Sequence, residues 1–494
     1  MQELRDRLEA YLVEVARAGL EFRSGRSATL DLEPIDGRFP DLCSGEWIEA
    51  VRGESEGAFG ADAREGARRL ARVLEGLAVS ASVRPREREL SEREAAQIAR
   101  VAGEEQTVFS WQSRLGSEPE ALRRRQIQDA VDAAASELNP LREDLFAERR
   151  ELRNAQGYAT ARAWAEARHP DIDYDLWGRR ASEFLIETDA AYRDQLHPSL
   201  SRIGVDPAAA DRADAARLSR LVEFDALFPA QRMRECLDFT LEGMGLRLES
   251  VPAIRIDATA RPGKNPRASC IAPEVPGEVW ILLAPRGGVD DYETFFHETG
   301  HALHRAFSSP ELPVERRLIV EPALTESYAF LLHYRISDPA WVSEGPAADH
   351  AEHFTAALRL RKLALLRRYT AKIRYELELN AQRADEPCRS LSDCYASELS
   401  EATGFRYRGE SYLADTDPDF YSVEYFRAWC LEVQLAEAFR ERFGRRFWKE
   451  KRAGDLLKEL WNTGGSYTAS QLARELGLGE IDPAPLVADL LGAS

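Results

Sequence analysis

The sequence predicts a mainly α-helical fold, and three observations carry that expectation. Segments rich in Ala, Leu, Glu and Arg at 3.6-residue spacing fill most of the 494 residues. Gly/Pro clusters such as LEPIDGRFPDLCSGEW, near residues 32 to 47, punctuate them as helix breakers. Only residues 251 to 288 carry β-type runs. A chain this long can bury a large apolar core, as two or three domains or as one large helical body. The division expected is a helical region over residues 1–215 and a second region, 216–494, that holds the candidate chemistry.

Composition removes several function classes. Hydrophobic residues make up 44% and charged residues 31%, a soluble globular balance with no apolar run long enough for a membrane span. Net charge is −19, from 85 acidic against 66 basic residues, which leaves no excess of cations to displace the counterions of a nucleic acid. The basic run ALRRRQIQ, around Arg123 to Arg125, is expected to be a solvated helix face. Six cysteines show no CxxC pairing, so buried free thiols are expected rather than a disulfide framework or a thiolate zinc site.

The elements follow in order. MQELRDRLEAYLVEVARAGLEF places Leu4, Leu8, Leu12, Val13 and Val15 among charges at helical spacing. It lacks the pattern of a secretory signal, so it is expected to be a structural helix of a cytoplasmic protein. Further helices should run to about residue 215, including the segment from Asn139 to Ala167. Runs at Ala253 to Asp257, Ala268 to Ile271 and Val279 to Ala284, separated by Pro/Gly turns, predict a small antiparallel sheet. DDYETFFHETGHALH comes next, with Asp290 and Glu293 as a capping box for a helix over residues 290–308. Pro322 suits the first turn of a helix over 322–336, and helices resume to the C-terminus around the loops GFRYRGESYLADTDPDFYSVEYFRAW and WNTGGSY. Gly464 and Gly465 in the last loop suit a turn or a close backbone approach.

The chemistry is concentrated at His297, Glu298 and His301. Two histidines four apart on a helix present both imidazoles on one face, at a separation where two nitrogens can reach one Zn²⁺. Glu298 projects beside them, where it can take a proton from an attacking water. Phe295, Phe296, Ala302, Leu303 and Phe307 make the helix apolar, a place where unpaired polar groups are costly. His304 lies two turns from His297, too far to share its metal, and is expected to support or pack. A third ligand should come from RRLIVEPALTESYAFLLHYRI. Glu326, inside its helix, is preferred, with Glu321 at the helix entry as the alternative. His333 is expected to pack.

These residues resemble the thimet oligopeptidase and oligoendopeptidase F family of zinc metallopeptidases. HETGHALH matches the HExGHxxH form, PGKNPRASC followed by VWILLAP resembles the family's turn and β-segment, and Glu326 stands 25 positions after His301, close to the family interval. FYSVEYFRAW and LKELWNTGGSYTASQLARELG resemble the tyrosine-bearing and Gly-Gly-Ser segments near the C-terminus. The resemblance spans roughly residues 140 to 494. It implies one Zn²⁺ per chain on His297, His301 and Glu326, Glu298 as general base, and Tyr425 and Tyr421 as hydrogen-bond donors to an oxyanion. It further implies short peptides as substrates, bound in a channel between two helical halves, with the strand near Ala268 to Ile271 pairing to the peptide backbone. Relatives carry a histidine shortly before the tyrosines, whereas this chain reads LADTDPDF and has no histidine after His353. The function so implied is cleavage of internal bonds in short peptides. An end-trimming peptidase and a metal-bearing peptide-binding protein without turnover are the alternatives.

Overall fold

The computed structural model describes residues 1–43, 45–57, 60–381 and 391–492, and the side chains of Cys43 and Cys388 lie outside what it describes. Among the described residues long helices dominate, as expected, and none is long and apolar enough to cross a membrane.

The chain forms two compact units, neither continuous in sequence. The first comprises Met1–Ala81, Glu223–Thr355 and Arg427–Leu486; the second comprises Ser82–Val222, Ala356–Phe426 and Val487–Ser494. A linear cut at residue 215 does not reproduce this division, because the N-terminal helix and the C-terminal helices both pack into the unit that holds the histidine segment. Helix Gln2–Arg23 buries Leu4, Leu8 and Tyr11 against Ile35, Phe39, Leu42, Leu70, Leu74 and Val314. Arg5 pairs with the buried Glu315, Nη2 to Oε1 at 2.7 Å.

The second unit contains an element absent from the sequence expectation, which allows only helices upstream of residue 215. Strands β1 (Ile98–Val101) and β2 (Glu104–Thr107) form an antiparallel hairpin. Its two-residue loop, Ala102 and Gly103, has φ of +50° and +88°, the backbone hand that matches strand twist. The unit's core gathers Val101, Val108, Trp111, Ile127 and Val131. The expectation of a solvated face at Arg123–Arg125 also needs correcting. Arg124 is fully buried and donates to Asp214 Oδ1 at 2.6 Å, because that helix face meets the helix Arg212–Ser219.

In the first unit β3 (Ile254–Asp257), β4 (Ser269–Glu274) and β5 (Glu278–Leu282) form one sheet in the order β3-β5-β4. It is mixed, not purely antiparallel: β4 pairs β5 antiparallel, but β3 pairs β5 parallel. Strand β5 carries Val279, Ile281 and Leu282, all almost completely buried, so the most apolar strand takes the centre and β4 becomes an edge. The free cysteines among the described side chains are Cys236 and Cys430, which are buried, and Cys270 and Cys394, which are only partly so.

Candidate metal centre

The histidine helix runs Val289–Phe307, immediately after β5 and its loop. Its start is not the expected capping box. The N-cap is Gly288 at φ +95°, and Asp291, not Asp290, reaches back so that Oδ2 accepts from the amides of Arg286 (2.5 Å) and Gly287 (2.7 Å). The loop curls over the helix start, so its own amides need the acceptor. Tyr292 donates to the Pro229 carbonyl at 2.7 Å, while Phe295, Phe296, Ala302 and Leu303 are buried.

A second helix, Pro322–His333, packs against this one with Pro322 in its first turn. Contact is close because of Gly300: a Cβ there would lie 2.6 Å from Ala329 Cα and 3.0 Å from the Tyr328 carbonyl oxygen. The missing side chain lets the two backbones approach. That approach brings Glu326 to the two histidines.

The Nε2 atoms of His297 and His301 are 3.2 Å apart. Glu326 Oε2 stands 3.3 Å from the first and 3.5 Å from the second. Ligand atoms about 2.0–2.1 Å from one ion at tetrahedral angles are separated by about 3.3 Å, so the donor set has the size and chemistry of a His₂Glu zinc site. Burial pushes the Glu326 carboxyl up, but the two imidazoles outweigh it and hold the carboxyl well below the usual range. For His301 burial opposes the proton, yet Glu326 and then Glu298 raise its affinity for one. Two imidazole nitrogens and a buried carboxylate so arranged can hold a metal cation in place of that proton.

Support continues behind His301. Its Nδ1 lies 3.1 Å from Thr325 Oγ1, which lies 3.3 Å from His304 Nδ1, and His304 Nε2 is 3.4 Å from the Gly464 carbonyl oxygen. With Nδ1–H of His301 donating, Nε2 is left with its lone pair toward the cluster. His304 is fully buried, and burial pushes its pKa down to about 3. Gly464 adopts φ +54°, and a Cβ on it would meet the Arg316 carbonyl oxygen at 2.8 Å, so the Gly-Gly turn fits only without side chains. Thr325 is the residue sequence reasoning missed. Its sole signal was its place next to Glu326.

The other candidates fall out as follows. Glu298 is half-buried and influences both His301 and the Cys270 thiol of β4. Glu321 is spoken for: Oε1 accepts from Arg427 Nη1 and Oε2 from the Ala469 amide, each at 2.5 Å. It fastens the helix entry and does not join the cluster. His333 packs, with its ring 5.7 Å from that of His297 and Nε2 3.8 Å from Glu293 Oε2. Tyr421 and Tyr425 belong to the second unit and stand in the first turns of a helix that begins at Tyr421, not in the loop expected there. Their ring centroids are 4.7 Å apart, and Tyr425 stacks on Tyr369 at 5.4 Å.

No protein-family model matches the sequence, and a comparison with curated proteins returns no match. Solved structures do match. A structure assigned as oligoendopeptidase F superposes with a TM-score of 0.68 at 16% identity, over 94% of this chain and 83% of its own. The fold is that of the oligoendopeptidase F structures. Another, assigned likewise and from Bacillus anthracis, gives 0.62 at 14% identity, over 94% of this chain and 82% of its own. The structure of Pz peptidase A with an inhibitor gives 0.66 at 16% identity, over 94% and 84%. The oligoendopeptidase F fold thus extends over nearly the whole chain, both units included.

Proposed function

We propose that this chain is a zinc-dependent peptidase that hydrolyses internal bonds of short peptides, with His297, His301 and Glu326 as the ligands of one Zn²⁺ and Glu298 as general base. The observation that carries the proposal is the convergence of two imidazole nitrogens and one carboxylate oxygen at 3.2–3.5 Å, with the half-buried Glu298 next to His297 in the same helix. The fold shared with oligoendopeptidase F structures supports it.

Zinc bound there would supply an acidified water and a polarised peptide carbonyl. His301 presents Nε2 because Thr325 holds its other nitrogen, and Glu326 is kept ionised by the imidazoles beside it. Glu298 takes the proton of the attacking water and returns it to the leaving amine. The resemblance alone assigns the oxyanion hydrogen bonds to Tyr425 and Tyr421.

Protein purified without added metal should retain about one equivalent of zinc, and a pool of short peptides should be cut internally unless a chelator is present. Glu298→Gln should keep the metal and lose at least about 10³-fold in kcat. Mass spectrometry of the pool and elemental analysis check both. A zinc-loaded protein that cuts nothing, or a Glu298→Gln variant as active as the parent, rules the proposal out.

A further inference from the structure

Arg305 follows His301 by four residues and Glu298 by seven, so the three share one stripe of the histidine helix. Along the axis it stands about 6 Å beyond His301. Its Nη1 donates to the main-chain carbonyls of Arg317 and Leu318 at 3.4 and 3.2 Å. Among the described residues Nε and Nη2 take no protein acceptor and no carboxylate pairs with Arg305. Nearby arginines of the same unit behave otherwise: Arg317 reaches Glu9 at 2.7 Å, and Arg427 reaches Glu321 at 2.5 Å.

A basic residue in the last turn suits the helix dipole, but that does not account for a partly buried guanidinium with no carboxylate beside it among the described residues, its Nε and Nη2 open to solvent. Burial holds the Arg305 guanidinium below the usual arginine range. Glu298 and Arg305 are both near enough to the Cys270 thiol of β4 to shift it, in opposite senses, and the helix that carries them packs against this edge strand. A peptide extended along that segment advances about 3.3 Å per residue, so one helical turn corresponds to about two residues.

We propose that Arg305 binds a carboxylate of the peptide substrate about two residues from the scissile bond. This inference rests on the peptidase reading of the site. The carboxylate is either the free C-terminus, which would make the enzyme a trimmer of dipeptide-sized pieces, or an Asp or Glu side chain within a longer peptide.

Two matched peptide sets distinguish the sources: free acid against C-terminal amide, and Glu against Gln placed two residues to either side of the cut bond. With zinc-loaded protein, one carboxylate-bearing member should be favoured by about tenfold or more in kcat/KM, mainly through KM. Arg305→Met should bring that ratio to about one, and Arg305→Lys should keep part of it. A ratio of one in the parent protein, or a ratio that survives Arg305→Met, overturns the assignment. Calorimetric titration of the same pairs into zinc-loaded Glu298→Gln measures the preference without turnover, and equal affinities there overturn it as well. Absence of cleavage by the parent protein would therefore strike the peptidase reading, while the titration still decides the role of Arg305.

Discussion

Thr325 illustrates how much a single hydroxyl can decide. It accepts from one imidazole and donates to another, so His301 and His304 are held in complementary tautomers and a chain of hydrogen bonds ends on the Gly464 carbonyl. His297 has no such partner; its Nδ1 is buried without a hydrogen bond among the described residues. The two histidines are therefore unequal, with His301 the better anchored. Thr325→Val, which keeps the volume and removes the hydroxyl, should weaken zinc binding by about 10–100-fold, whereas Thr325→Ser should restore most of it. Competition against a chromogenic chelator measures this directly. Equal affinity of the Val variant and the parent would show that the bridge orients nothing. No periodicity or motif singles out a threonine in a helix, and its partners are 21 and 24 residues away in sequence.

At the scale of elements, the centre exists because two helices touch where Gly300 meets Ala329. Gly300→Ala places a methyl 2.6 Å from a backbone atom that cannot swing aside, so the helices must part. The cost should be about 1–3 kcal/mol, the usual range for overpacking, together with a loss of bound zinc as Glu326 is carried away from the imidazoles. Urea unfolding and metal stoichiometry on the same variant report the two effects separately. The histidine pair was legible in advance because four residues of helix fix it locally. The cap was not, since whether Asp290 or Asp291 meets the loop amides depends on how the preceding Gly287 and Gly288 turn. The sheet was half legible: three short runs foretold three strands, but their order follows from which strand is buried most.

On the scale of the whole molecule, each unit carries buried charge with its own energetic consequence. In the second unit Glu376 is completely buried; Oε1 accepts from the Asp417 amide at 2.7 Å and Oε2 from the Ser422 hydroxyl. Burial raises its pKa to about 7, against an ordinary value of 4.5. The folded protein therefore binds a proton that the unfolded chain releases, so this contribution is complete below pH 4.5 and is lost as the pH rises through about 7. Relative to Glu376→Gln, the parent protein should lose about 1.4 kcal/mol per pH unit across that window. Unfolding midpoints at pH 5, 6 and 7 test this, and parallel profiles for the two proteins would refute it.

The sequence by itself determined what local geometry governs: a helical chain, two histidines and a glutamate on one turn of helix, and a second helix whose Glu326 is a fitting third donor. Tertiary structure alone decided that Glu326 and not Glu321 joins them, since only packing could commit Glu321 to Arg427 and the Ala469 amide. It also decided that residues 1–81 and 427–486 complete the unit around residues 223–355. The physical reason is range. Helix periodicity acts over a few residues, whereas burial of charge and close contact of backbones depend on segments hundreds of positions apart.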